Sequence, residues 1–302
     1  MSTGVVEPPV VASRLSVPPP PPPSMWRRLG SKLAKLILPV WTGLVILFLF
    51  TPIFFLIAMS FNDFKTIFLW TKFSTHWWSE MWSNTTMTDA VVTSLEVAVI
   101  STIIALVLGT LAGVALARKP GKWTAGFIGI VLLILVTPEI VDGAGQLSWF
   151  VKLGGQFREG LLPIILVHTV FSSAVVTLIV RARVAGLDAR LEEAAADLFA
   201  TPTRAFFQIT LPLVMPAVLA GGMLAFTLSL DNVVATSFVS PAGQTTFPNY
   251  VFGLAGGVIR PEVAAMSTVF IGITLLSIVI VAFVLRRGGQ SGTEIAAQFT
   301  GN

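Results

Sequence analysis

Six long apolar runs, roughly residues 36–60, 90–117, 125–140, 161–180, 213–230 and 263–285, constrain this 302-residue chain more than any other feature. Crossing a hydrocarbon core takes about 20 apolar residues at about 1.5 Å rise each. Hydrocarbon offers no partner to an unpaired N–H or C=O, so each run must close its hydrogen bonds within itself, as a helix. The expected fold is all-α, a polytopic membrane protein with six transmembrane helices. The third run is interrupted by Pro138 and Glu139 and is expected to continue to near Trp149. Composition agrees: apolar residues make up 54% and charged residues 11%, against about 25% charged in soluble domains.

The basic residues set a direction. With the amino terminus inside, 14 of the 19 Lys and Arg fall on the cytoplasmic side. These are Arg14, Arg27, Arg28, Lys32, Lys35, Arg118, Lys119, Lys122, Arg181, Arg183, Arg190, Arg204, Arg286 and Arg287. Lys65, Lys72, Lys152, Arg158 and Arg260 fall outside. By the positive-inside rule both termini are cytoplasmic. The external segment 61–88 carries Trp70, Trp77, Trp78 and Trp82, read as an interfacial aromatic belt.

Residues 1–35 differ in character from the rest of the chain. Pro18 to Pro23 is an unbroken proline run, which favours polyproline II and reads as a disordered spacer. Residues 288–302 read as a flexible cytoplasmic tail, and no cleaved leader is expected. The chain has no cysteine, which removes disulfides and thiolate chemistry, and its two histidines make a transition-metal centre improbable. No lysine-bearing phosphate loop and no paired nucleophile and base occur, so neither ATP hydrolysis nor other catalysis is expected of this chain. His168 reads as a helix-packing hydrogen-bond partner. Gly109 and Gly113 have the small-residue spacing that lets two helices approach closely.

Between the fourth and fifth runs lies a polar, Ala-rich insert from Leu191 to Pro216. Glu193, Ala194, Ala195 and Ala196 are strong helix formers, with Asp197 and Leu198 closing the turn. Thr201 and Pro202 suit the cap and first turn of a second short helix. Two short helices at an angle, facing the cytoplasm, form a docking surface for another protein. Alanines permit close approach, and Glu193 and Asp197 offer charge one turn apart.

The string Glu193-Ala194-Ala195-Ala196-Asp197-Leu198, followed by Leu211-Pro212 and Pro216, resembles the EAA motif of ATP-binding-cassette importer permeases. Further segments resemble the second permease subunit of spermidine/putrescine importers. They are Ser60-Phe61-Asn62, Pro138-Glu139-Ile140-Val141, Val180-Arg181-Ala182-Arg183 and Thr227-Leu228-Ser229-Leu230-Asp231. The resemblance runs from about residue 36 to 287, the expected permease domain, with the coupling loop at about 185–212. It implies a bacterial inner-membrane location and a second permease subunit forming a heterodimer. It also implies two ATPase subunits that carry ATP and Mg, and an extracytoplasmic substrate-binding protein. No cofactor on this chain and no nucleic-acid partner are expected. On this resemblance Glu193, Ala194, Ala195, Asp197, Leu198 and Phe199 dock the ATPase.

Phe199 stands where the family usually has glycine. Phenylalanine is strained at positive φ, so either the turn has a different backbone here or Phe199 plugs into the partner's cleft. Carboxylates at membrane depth are functional-site candidates: Asp231, Glu139, Glu96 and Asp142, all placed in the outer half or at the outer surface, where they suit a polyamine's ammonium groups. The second acidic residue common after the first in polyamine-type permeases is here Asn232. Aminophosphonate, opine and chelated iron remain alternative cargoes. A stand-alone secondary transporter or channel would leave the helical insert unexplained, and no inverted repeat is evident.

Overall fold

A computed structural model describes residues 25–65, 67, 69–255, 257 and 260–287. The proline run and the expected C-terminal tail lie outside them. The chain divides into two units, one ending at Phe54 and the other beginning at Phe55.

Helix α1 (Met25–Met59) begins within the stretch expected to be tail. Its membrane-spanning part, Ile37–Met59, has a mean hydropathy of 2.5. Pro39 and Pro52 lie inside it, and the Thr51 hydroxyl donates to the Leu47 carbonyl at 2.7 Å.

The second unit holds α2 (His76–Glu80), α3 (Thr85–Arg118), α4 (Lys122–Val136) and α5 (Glu139–Leu153). It continues with α6 (Leu162–Ala185), α7 (Arg190–Asp197), α8 (Pro202–Ala205) and α9 (Leu211–Asp231). Then come α10 (Val234–Val239), α11 (Phe247–Gly253) and α12 (Pro261–Arg287). No strand forms among the described residues; a single bridge joins Asn62 to Phe73. It is set by the buried Asn62 side chain, which donates to the Leu69 carbonyl and accepts from the Thr71 N–H. Beside it the Lys72 ammonium pairs with Asp63 at 3.1 Å. That hydrogen bond, with one from Ser74, holds the Asp63 carboxyl below its usual range.

Among the described residues five helices are long and apolar enough to cross a membrane, and the pair α4–α5 makes six if counted as one broken span. The third run is interrupted at Pro138 and its helix continues past Trp149, as expected, but α4 and α5 are bent by 107° rather than lying in one straight line. Pro138 is the cause. It has no N–H to donate to α4, and it drives Thr137 into an extended backbone with ψ 130°. α5 restarts after it, with the Asp142 N–H bonded to the Pro138 carbonyl, and packs on α10. A Cβ on Gly143 would lie 2.9 Å from the Phe238 ring.

The core is the set α3, α6 and α9, in which α3 and α6 run parallel and α9 runs against both. Gly109 and Gly113 present bare backbone to α6. A Cβ on Gly109 would fall 2.6 Å from Val176 Cβ, and one on Gly113 would fall 2.9 Å from both Val180 Cβ and the Thr177 carbonyl. Below them Val176, Val180 and Val184 pack with Val214, Val218 and Ala225 of α9. One end of this bundle carries Arg118, Arg181, Arg183 and the α7–α8 insert. The other carries Trp77 and Trp78, which pack against Met81, Met87, Val263 and Met266 rather than forming part of an exposed belt. Trp70 and Trp82 are exposed.

Gly109→Val is expected to destabilise the bundle by about 1–3 kcal/mol, because the buried methyls have nowhere to go. Thermal unfolding of the detergent-solubilised chain reads this as a lower midpoint; an unchanged midpoint would contradict the close approach.

Candidate functional site

The insert folds as two short helices, as the sequence implies. Asp188 accepts from the Arg190 N–H at 3.0 Å to start α7, and Thr201 accepts from the Arg204 N–H at 3.3 Å to start α8. Pro202 occupies the first turn, where no N–H is needed. A single π-helical turn, Phe206–Thr210, then leads into α9. Glu193, Ala194, Asp197, Leu198 and Phe199 are exposed, whereas Ala195 is turned inward and buried.

Phe199 answers the question raised by its position. It has φ 61° and is the only non-glycine residue with positive φ among the described residues. The Phe199 N–H bonds to the Ala196 carbonyl and the Ala200 N–H to the Ala195 carbonyl, both at 2.9 Å. This is a Schellman cap with phenylalanine in the glycine position. The alternative of a different backbone is therefore overturned: the left-handed turn is kept and costs about 1–2 kcal/mol. The ring gains nothing within the chain to offset that, being 94% exposed beside a Leu198 that is 82% exposed.

The insert is tied to the bundle by a carboxylate that sequence reasoning missed. Glu192 Oε1 accepts from Arg118 Nε at 3.0 Å and from the Thr210 hydroxyl at 2.8 Å. It thus joins α7 to the end of α3 and to the start of α9. Nothing local to Glu192 identifies Arg118, which lies 74 residues away. A cleft of about 320 Å³, lined by Val114, Ala196, Ala200 and Phe206 among others, separates the insert from the bundle.

The four candidate acids are not bonded to one another. Glu96, Glu139 and Asp231 are exposed and, among the described residues, form no hydrogen bond or ion pair. Asp142 is half-buried and accepts from Gln146 one turn on. Glu139 and Asp142 sit in the first turn of α5, where the helix N-terminus favours negative charge. Glu96 and Asp231 lie on neighbouring helices whose relative level is set by a Ser101–Ser229 hydrogen bond of 3.2 Å. Helical rise places Asp231 roughly 3 Å and Glu96 roughly 7.5 Å beyond that bond, towards the tryptophan-rich end.

Directly beneath Asp231 a buried polar cluster holds four helices. His168 of α6 contacts the Ser229 hydroxyl through Nδ1 at 2.7 Å and the Thr236 hydroxyl through Nε2 at 2.8 Å. Thr236 also donates to the Asn232 carbonyl at 2.9 Å, while the Asn232 side chain accepts from the Thr236 N–H at 3.3 Å. His168 is thus a packing partner, as expected, and Asn232 is occupied in starting α10. At the same end a nearly buried Glu262, also absent from the sequence-level candidates, lies 3.4 Å from the Asn84 amide nitrogen.

The model of the binding-protein-dependent transport system inner membrane component matches residues 105–288. The putrescine transport system permease protein PotI of Escherichia coli (strain K12) is 40% identical over 231 residues, covering 74% of this chain and 82% of the relative. The spermidine/putrescine transport system permease protein PotC of Haemophilus influenzae is 32% identical over 243 residues, 80% of this chain and 94% of the relative. Among solved structures, a chain of the bacterial alginate ABC transporter, crystallised with a pentasaccharide-bound periplasmic protein, matches with a TM-score of 0.64. It is 17% identical and is covered to 95% by 86% of this chain, a likeness of fold.

Phe199→Gly is expected to raise the stability of the isolated chain by about 0.5–1 kcal/mol, the left-handed strain relieved less the entropy glycine loses. A thermal midpoint that falls would show that the ring packs within the chain.

Proposed function

The chain belongs to the family of binding-protein-dependent transport system inner membrane components, and on that premise we propose that it is one of two permeases of a polyamine importer. A second, related permease completes a heterodimer. Two ATPase subunits, holding ATP and Mg, bind the α7–α8 loops, and an extracytoplasmic binding protein delivers the cargo. The arginine-rich end faces the cytoplasm together with both termini, in a bacterial inner membrane. Closure of the ATPases moves the loops and switches the pathway between inward-open and outward-open.

One observation carries the choice of cargo: the 40% identity to a permease named for putrescine transport. The site chemistry is compatible with it. Asp231 and Glu96 are unpaired carboxylates near the end where cargo would enter, and a polyamine brings ammonium groups for charge-assisted hydrogen bonds. Asn232 in place of a second acid leaves Asp231 as the charged group at that helix end. Glu193, Ala194, Asp197, Leu198 and Phe199 form the outward face of the docking loop, with Ala195 packing it from behind.

Uptake of labelled putrescine and spermidine in cells lacking this chain, with and without its re-expression, tests the reading. Loss on deletion and restoration by the intact chain is expected; unaltered uptake in cells with no other polyamine route would remove the cargo. Glu193→Lys is expected to abolish uptake with the chain still in the membrane, and normal uptake at normal expression would end its docking role. Asp231→Asn should lower uptake about tenfold, for one charge-assisted contact of about 1.5 kcal/mol. If Phe199 is buried in the ATPase, Phe199→Gly should weaken ATPase retention roughly thirtyfold, for about 2 kcal/mol of lost burial. Titrating purified ATPase onto the two chains measures it, and equal affinities would leave the ring without a partner.

A further inference from the structure

The loop is held to the bundle unevenly. Its inner side stands over the cleft of about 320 Å³, whose wall is made by Val114, Ala196, Ala200 and Phe206 and, at one edge, by Glu192 and Thr210, so apolar packing there is loose. Its polar side is pinned at one atom, Glu192 Oε1, shared by Arg118 of α3 at 3.0 Å and Thr210 at 2.8 Å. The Arg118 and Glu192 side chains are only 20% and 31% exposed, so water and salt screen the pair less than a surface pair. Arg118 also reaches the Leu187 carbonyl at 3.5 Å, across the turn that leads into α7. Thr210 closes the π-helical turn, a strained, rare geometry that recurs at functional sites. There its hydroxyl meets a carboxylate 18 residues back in the chain.

A force applied to the outward face of α7 passes along the chain towards α9 only through the turn at 198–201, into the helix that runs from Pro202 to Asp231. It has two side-chain routes into the membrane. The cleft transmits it poorly, because side chains that are not in contact must first close a gap. The shared carboxylate transmits it at once, to the ends of two spans that pack on each other. We propose that Glu192 is a positioning residue that makes the loop and the adjoining ends of α3 and α9 move as one body. Nucleotide-driven displacement of the loop then reaches the far end of α9, where Asp231 stands, only while this clasp is closed. The inference rests on the permease reading given above and adds to it the residue that couples the two ends.

The chain contains no cysteine, so a single introduced thiol, with labelling read on this chain's own band, reports on α9 alone. In the assembled transporter carrying Leu228→Cys, the rate of labelling by a water-soluble maleimide is compared between the nucleotide-free and vanadate-trapped states. With Glu192 intact the two rates should differ at least tenfold. With Glu192→Gln the difference should collapse to less than twofold, while ATP hydrolysis stays within twofold of the parent. Arg118→Gln should behave alike, and Thr210→Val, which removes one of the two bonds, should fall between. A thiol whose labelling still responds fully in Glu192→Gln overturns the proposal, as does a parent whose labelling never responds to nucleotide. If Glu192→Gln does not assemble, Thr210→Val decides: a full response in it, or failure of both variants to assemble, makes Glu192 a folding residue and overturns the proposal. A parent chain that retains no ATPase at all sinks the permease reading first, and the clasp with it, a result visible before any thiol is labelled.

Discussion

The close approach of α3 and α6 is the contact on which the rest of the bundle depends. At Gly109 and Gly113 the absence of two Cβ atoms lets Val176 and Val180 reach the backbone of α3. In hydrocarbon no hydrophobic gain draws helices together, so such backbone-level packing and buried hydrogen bonds must do it. With α3 and α6 in contact, α9 fits the remaining groove, Gly222 accepting Leu106 and Val214 meeting Val184. The two chemically distinct ends of the bundle result from that alignment.

At each end a polar cluster spans the bundle. Towards the tryptophan-rich end, Ser101, His168 and Ser229 tie α3, α6 and α9 and extend through Thr236 to the helix break after Asp231. At the arginine-rich end, Glu192 ties α3 and α9 to the α7–α8 loop. Between them lies an apolar valine layer, which is stiff because it is packed. A permease that passes a signal from loop to mouth is served by such a plan, in which polar joints stand at both ends of a rigid rod.

Phe199 shows a cost accepted locally. A left-handed phenylalanine is unfavourable, and an exposed ring beside an exposed leucine gains nothing in water. Residues held in sparsely populated backbone regions cluster where function asks for them. Here the Schellman cap fixes the backbone and aims the ring away from its own chain.

Much of this protein was legible in the sequence because the governing physics is local. Apolar length alone dictates spanning helices, and Thr201 starts the insert's second helix through a bond to the residue three positions on, with Pro202 in its first turn; Asp188, which starts α7 in the same local way, was overlooked. The bend at Pro138 was only half legible: proline announces a break, but its angle of 107° depends on where α5 finds α10 to pack against. Phe199 misled on one of two readings, since residue identity argues against positive φ while the cap's hydrogen bonds demand it. Glu192 was invisible beside the motif's own Glu193, because what distinguishes it is an arginine 74 residues upstream and a threonine on the next span. Likewise His168 is a joint only because hydroxyls 61 and 68 residues away converge on its two nitrogens. Spans, caps and direction are properties of neighbouring residues and short-range backbone bonding; which carboxylate is bonded and which is left unpaired is decided by helices that meet only in the folded bundle.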